Sequence, residues 1–406
     1  MYRILKARAK QPGQHAVTLA QELVTTPGVS LEEAHVAERV RIAMTDAGYD
    51  EVFVDEAGNV VGILHGRTGE KTLLLNCHMD TAPAGDAAAW EKNPFSGEII
   101  NGRLHGLGAA DCKGGLAAQI YSGALLRQSL LPLHGNLVVA ATVAQENSHS
   151  AGARFLLEHT LPSIEMQPDW AILGEPTNLG LYYGHEGWIE LEVYVESPNP
   201  FDVDDAVGAI ARFLGGNNGK SDEHRHMQLR APRFEENEDR RRGIIGIDRR
   251  LYFGESISTL VEQMTATAQN AAQSVGTARV GVGVRRGETI LYTGRKTEIC
   301  YATHAWAIDP FHMLMERGRH ALSAAGANVR PGKWELGRLG MGTAGDILVN
   351  EFDVPAIGYG PGDESAAHRP NEYVETQKIA ETVYGTAAIA HSLIGIPVYG
   401  WTSDEI

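Results

Sequence analysis

The 406-residue chain carries 35 basic against 51 acidic residues, a formal net charge of −16, with 43% hydrophobic and 21% charged residues. Such a balance excludes a fibrous or disordered chain and disfavours nonspecific attraction to nucleic acid or anionic membrane, because phosphate binding needs clustered Lys and Arg. At this length two domains with a cleft between them are expected. Cys77, Cys112 and Cys300 are too few for a disulfide framework and read as reduced core thiols. No segment approaches the ~20 apolar residues that span a bilayer, and the N-terminus lacks a signal-peptide core, so the expectation is a cytoplasmic protein with no membrane partner.

In chain order, residues from about Val17 to Ala47 show apolar positions at helical spacing, and EVFVDEAGNVVGIL and KTLLLNCHMD then read as strands. After Gly114-Gly115, LAAQIYSGALLRQSL is a helix, NLVVAATVAQE a buried strand, ARFLLEHT a helix and DWAILGE a strand. This alternation predicts an α/β fold with a mostly parallel sheet and helices on both faces. From about Gly187 the texture changes: WIELEVYVES and GIIGIDRRLYF read as strands, DDAVGAIARFL and ESISTLVEQMTATAQNAAQSV as helices, and ARVGVGVRRGETILYT as further strand. That order predicts an inserted α+β lid. Within it KSDEHRHMQLRAPRFEENEDRRR has little apolar periodicity and is expected to be an exposed excursion. Near Ala307 the chain rejoins the first domain, with MLMERGRHALSAAGA a helix and FDVPAIGYGPGDESAAHRPNEYVE a strand followed by a loop bearing His368. The expected division is 1–186 with 306–406 as a catalytic, metal-binding domain and 187–305 as the lid.

The chemistry concentrates between Leu73 and Gly115, where His78 and Asp80 stand at a strand end and Asp111 precedes a glycine-rich helix start. His78 offers an imidazole nitrogen, Asp80 can fix its tautomer, and Asp111 can bridge two cations. In open α/β sheets functional groups collect beyond the carboxyl ends of the strands, and Glu146 and Glu175 stand at two more such ends. Taken singly each has an ordinary role: His78 a core histidine, Asp111 an N-cap, Glu146 and Glu175 strand-end carboxylates. Their convergence from several strands favours a metal site.

HMDTAP at His78, WEKNPF at Trp90, NGRLHGLGAADCKGG ending at Gly115, AQEN at Glu146, LGEPT at Glu175, IDRR at Asp248, GTAGD at Thr343 and GPGDESAAHRPNEY at His368 together resemble one family over nearly the whole chain. It is the co-catalytic zinc metallopeptidase and amidohydrolase family that includes acetylornithine deacetylase, succinyl-diaminopimelate desuccinylase, aminoacylase and carboxypeptidase G. The resemblance implies a zinc-peptidase-like catalytic domain with an inserted split βαβ lid that pairs in a homodimer or higher oligomer. It implies two divalent ions bridged by Asp111, the first also held by His78 and Glu175, the second by His368 and by the second member of a Glu-Glu pair. Glu146 matches the general base. Arg250, Gly342 and Thr343 match positions that hold a substrate carboxylate.

Three departures stand out. Asn147 occupies the place of the second glutamate and lacks the charge that attracts zinc, so one tightly bound ion, zinc or manganese, with a weak or absent second is expected. YVESPNPFDVDDAVGAIARFL lacks the lid histidine of the family, leaving His224 or His226 as substitutes, and the family's Arg-Gly reads His185-Glu186-Gly187. The expected activity is metal-assisted hydrolysis of an amide-type C–N bond in a small carboxylate-bearing molecule, with Glu146 as general acid and base. The alternatives are an unusual C–N bond, such as an aryl amine or a carbamoyl group, and a catalytically silent binding relative.

Overall fold

The computed structural model describes residues 1–216, 227–237, 240–273, 275, 278–327 and 338–396. The stretch expected to be helical from Val17 to Ala47 resolves into α1 (Lys10–Thr25) and α2 (Ala34–Asp46). Pro27-Gly28 between them forces the break. A first sheet follows from β1 (Glu51–Val54), β2 (Val60–Leu64), β3 (Thr72–His78), β4 (Asn136–Thr142) and β5 (Trp170–Leu173), completed by residues Ala356–Gly358. Its order is β1-β2-β4-β3-β5 and then the Ala356–Gly358 strand. The pairings β4–β3, β3–β5 and β5 with Ala356–Gly358 are parallel, while β1 and β2 form an antiparallel edge.

Side chains alternate across this sheet as a period of two requires. Leu73, Leu75 and Cys77 of β3 and Leu137, Val139 and Ala141 of β4 pack with Leu19, Leu23 and Val40 of the N-terminal helices and with Leu116 and Ile120 of α3 (Gly114–Ser129). On the opposite face Leu74, Val138 and Ala140 meet Leu156, Leu161, Ile347 and Leu348. Both faces are therefore covered, which is why these strands read as nearly continuous apolar runs.

The second sheet is built around β6 (Gly187–Ser197), flanked on one side by β7 (Met227–Leu229), β8 (Arg233–Asn237) and β9 (Arg240–Leu251) and on the other by β10 (Arg279–Val284). Ile189, Leu191, Val193 and Val195 of β6 turn inward against α4 (Pro200–Gly216) and α5 (Ile257–Ala272), the alternating pattern of a sheet covered on one face. The exposed excursion expected between Lys220 and Arg242 is corrected here: from Met227 onward it contributes strands. Its charges made it look unstructured because they face solvent and pair across strands, Arg233 with Glu192 at 2.8 Å and Arg242 with Glu196 at 3.2 Å. His224 and His226 lie outside the described residues.

The cysteine expectation is also corrected. Cys77 at the end of β3 and Cys112 beside Asp111 are both buried, with a Cα–Cα separation of 6.6 Å, while Cys300 is exposed instead of buried. Among the described residues no helix is long and apolar enough to cross a membrane.

Candidate metal centre

Strand ends and two loops bring the predicted side chains together. His78 is the last residue of β3 and fully buried. Its Nδ1 lies 2.9 Å from the carbonyl oxygen of Asp80, so the N–H donates there and Nε2 keeps its lone pair, 3.3 Å from Asp111 Oδ1. The tautomer is thus fixed by the main chain of Asp80, with the carboxylate more distant at 3.5 Å. That carboxylate instead accepts from Ser30 Oγ at 2.6 Å and from the backbone N–H groups of Glu146 at 2.9 Å and Gln145 at 3.2 Å. Asp80 therefore aligns the turn that carries Glu146 as well as the imidazole.

Asp111 sits in the turn before α3. Gly115 lets the start of that helix approach the sheet, because a Cβ there would lie 1.9 Å from the Gly174 carbonyl oxygen. The turn itself hangs on Glu372, whose buried carboxylate accepts from the N–H groups of Gly108 at 3.0 Å, Ala110 at 2.8 Å and Asp111 at 3.0 Å. Glu372 lies in the NEY end of the His368 segment, 261 residues from Asp111. Lys113, also buried, donates to the carbonyls of Leu23 and Thr26.

The donor atoms form two sets. One contains His78, Asp111, Cys112 and Glu175, the other Asp111, Glu146 and His368, and within each set the ligand atoms lie within 4.8 Å of one another. Asp111 is common to both. Its Oδ1 faces His78 at 3.3 Å and its Oδ2 faces His368 Nε2 at 2.9 Å. Glu146 Oε1 stands between the imidazoles, 3.0 Å from His368 Nε2 and 3.8 Å from His78 Nε2. Glu175 is buried with Oε1 accepting from Gln145 Nε2 at 3.3 Å. Asn147, by contrast, is exposed and meets Ser30 Oγ through its backbone N–H.

These residues fit a cation. Asp111 Oδ2 and Glu175 Oε2 are buried yet accept no hydrogen bond, even though His368 is 2.9 Å from the former. Close, misaligned donors of this kind point at a common centre instead of at each other. Burial, then the Asp111 charge, pushes Glu175 up to about 8. The Asp111 and Glu146 carboxylates, 2.9 and 3.0 Å from its Nε2, raise His368 to about 11. Carboxylates crowded so closely recruit positive charge, on imidazoles if not on a metal.

Of the substrate-side candidates, Arg250 lines a cavity of about 370 Å³, together with Gly340, Met341, Glu364, His368 and Arg369. Arg250 lies 5.3 Å from the Trp188 ring and donates to the Gly340 carbonyl. Gly342 is pressed against Thr303, where a Cβ would meet Cγ2 at 2.8 Å. Thr343 is buried and does not line this cavity; its N–H donates to His185 Nε2 at 3.0 Å.

His185 explains one departure from the family pattern. Its Nδ1 donates to the Glu186 carbonyl at 2.7 Å, so the neutral ring bridges the end of its own strand to the 340–346 loop. Burial, assisted by the Arg250 charge, pulls its pKa from 6.5 to about 4. The unfolded chain takes up this proton near pH 6.5 and the folded one only near pH 4, so this contribution to stability is lost as pH falls through that window. Between pH 7 and pH 5 the loss amounts to about 2 kcal/mol. Urea unfolding of the parent and of His185→Gln at both pH values checks this: the parent should lose more stability than the variant, and equal losses would contradict it.

A fold of this kind with paired His and carboxylate donors at its strand ends defines a metallohydrolase. Residues 74–393 match the model of peptidase family M20/M25/M40, and the chain belongs to that family. It is 36% identical over 212 residues to a succinyl-diaminopimelate desuccinylase of Cereibacter sphaeroides, an alignment covering 49% of this chain and 55% of that protein. It is 25% identical over 397 residues to the [LysW]-lysine hydrolase of Deinococcus radiodurans, covering 94% and 98%. The YXEP protein of Bacillus subtilis, a dinuclear metal-binding peptidase of the M20 family, superposes with a TM-score of 0.67 at 14% identity, covering 95% of this chain and 99% of that one. The protein is accordingly a metal-dependent hydrolase that acts on amide-type C–N bonds of small substrates and uses divalent metal.

Sequence motifs pointed to His78, Asp111, Glu146, Glu175 and His368, and all five converge. Ser30, Gln145 and Glu372 were not anticipated, and His185 was singled out only as a departure from the family pattern. For Glu372 a signal existed, since it is the next-to-last residue of the GPGDESAAHRPNEY motif.

Proposed function

We propose that the protein hydrolyses an amide-type bond in a small molecule bearing a carboxylate, using one tightly held zinc or manganese ion at His78, Asp111 and Glu175. A cation held there would supply Lewis-acid polarisation of the scissile carbonyl and acidify water. Glu146 takes the proton of the attacking water and delivers it to the leaving nitrogen. The observation that carries this reading is the position of Glu146 Oε1, 3.8 Å from His78 Nε2 at the edge of the buried donor set and aligned by Asp80. Arg250, in the cavity beside His368, binds the substrate carboxylate, and Gly342 and Thr343 support it from the adjoining loop. Residues 187–305 act as the lid and dimerisation domain on the body formed by 1–186 and 306–406.

A second reading, hydrolysis of an aryl-amine or carbamoyl C–N bond, is supported by the absence of histidine from residues 194–214 and by the exposed Asn147. A screen of N-acyl amino acids, dipeptides and aminoaromatic acids with added zinc or manganese separates the two. Metal-dependent turnover confined to the acyl and peptide substrates is expected. Turnover of the aminoaromatic acids alone supports the second reading, and turnover of none supports a silent binding relative.

A further inference from the structure

We infer that Glu33 and Asn59 are positioning residues for the general base, completing a cradle of side chains that fixes the backbone on which Glu146 stands; the inference rests on the role given to Glu146 above. Strand β4 ends at Thr142, and beyond it the backbone N–H groups of residues 143 to 147 are each taken by a side chain from elsewhere in the chain. Val143 donates to Asn59 Oδ1 at 3.1 Å, Ala144 to Glu33 Oε1 at 2.9 Å, and Asn147 to Ser30 Oγ at 3.4 Å. Gln145 and Glu146 donate to the two oxygens of Asp80 at 3.2 and 2.9 Å. A segment leaving a sheet commonly gives such groups to water or to its own turn, and here side chains account for all of them.

Glu33 stands at the N-cap position of α2, yet its side chain makes no capping bond and reaches across 111 residues to Ala144 instead. It is fully buried, and among the described residues its Oε2 accepts no hydrogen bond. Burying a carboxyl group is unfavourable where an apolar residue could pack, so its contribution lies in the one oxygen that is used. That oxygen meets the chain at a demanding place. Ala144 has a φ of 55°, in the left-handed region that a residue with a Cβ seldom takes, and there the chain turns from the strand toward Glu146. The bond to Glu33 holds that turn. Asn59, also fully buried, acts one residue earlier, and its Nδ2 donates to the Gly152 carbonyl at 2.9 Å. One side chain thus ties both ends of the segment that carries the base.

Neither residue lines the cavity beside His368 or belongs to a donor set, so both act through the backbone alone. Misplacement of a reacting group by about 1 Å can cost on the order of a hundredfold in rate. The ion and the substrate carboxylate keep their partners, which confines the effect to kcat. Burial, then the Asp80 charge, pushes the Glu33 carboxyl up to about 7, and a neutral group with the same oxygen suits the place.

Steady-state kinetics of full-length Glu33→Gln and Glu33→Met on a substrate from the screen test this, with each change also made in the Glu146→Gln background and metal content measured throughout. Gln keeps the acceptor oxygen, and Met keeps the size without it. Glu33→Gln should retain the wild-type kcat, while Glu33→Met should lose about a hundredfold in kcat at unchanged KM and metal content. The loss should vanish once Glu146 is Gln, because an absent base cannot be misplaced. An equal loss in both backgrounds, a loss shared by Glu33→Gln, or full kcat in Glu33→Met would overturn the inference and leave the role of Glu146 intact. Full turnover by Glu146→Gln would remove that role, and the inference with it. Hydrogen exchange of the native protein gives a reading that does not depend on the folding of any variant. Residues 143 to 147 should exchange as slowly as β4, and exchange at the rate of an open loop would contradict the cradle.

Discussion

Replacement of Glu146 by Gln is expected to lower turnover by about a hundredfold to ten-thousandfold while the tightly bound ion remains. Gln preserves the size and the backbone hydrogen bond to Asp80 at 2.9 Å, so the turn keeps its place. It removes the one property required, an oxygen able to take a proton and give it up again. His78, Asp111 and Glu175 are untouched, which is why metal content should not change. Steady-state rates combined with metal analysis of the purified variant check both halves. Full activity would remove Glu146 from the mechanism, and simultaneous loss of metal would make it a ligand of the tight site.

Asp111→Asn should have the larger effect on metal. Both oxygens of Asp111 face donor sets, and its backbone is fixed by Glu372, so the substitution changes the ligand without moving the loop. Outer partners of metal ligands typically contribute 10–100-fold to affinity, and loss of a charge from the shared ligand should cost at least roughly that. Equilibrium dialysis is expected to show the tight class weakened by that factor, with activity recovered only in part at high metal concentration. An unchanged affinity would show that His78 and Glu175 hold the ion without Asp111.

The sheet and the five converging residues were legible because each depends on a local pattern. Apolar runs of β3, β4 and β5 ended in His, Glu or a glycine turn, and the strand direction then carried those ends to one edge. What could not be read depends on contacts across long separations. Ser30 meets Asp80 50 residues away, and Glu372 accepts from a turn more than 260 residues away, through backbone N–H groups that any sequence would supply. The strands from Met227 to Asn237 were hidden for a different reason. Their stability comes from pairing to β9 and from cross-strand ion pairs, while apolar alternation, the usual mark of a strand, is weak there.

Asn147 shows how a single residue bears on the reaction. The neutral side chain points to solvent, so the only carboxylate on that turn is Glu146, which cannot serve as strong ligand and free base together. The donor atoms here fall into a buried set and a more exposed set that share Asp111.

Metal content of the native protein, purified without chelators and dialysed against metal-free buffer, tests this account most directly. One divalent ion per chain that survives dialysis is the predicted result, and two ions per chain that both survive would contradict it.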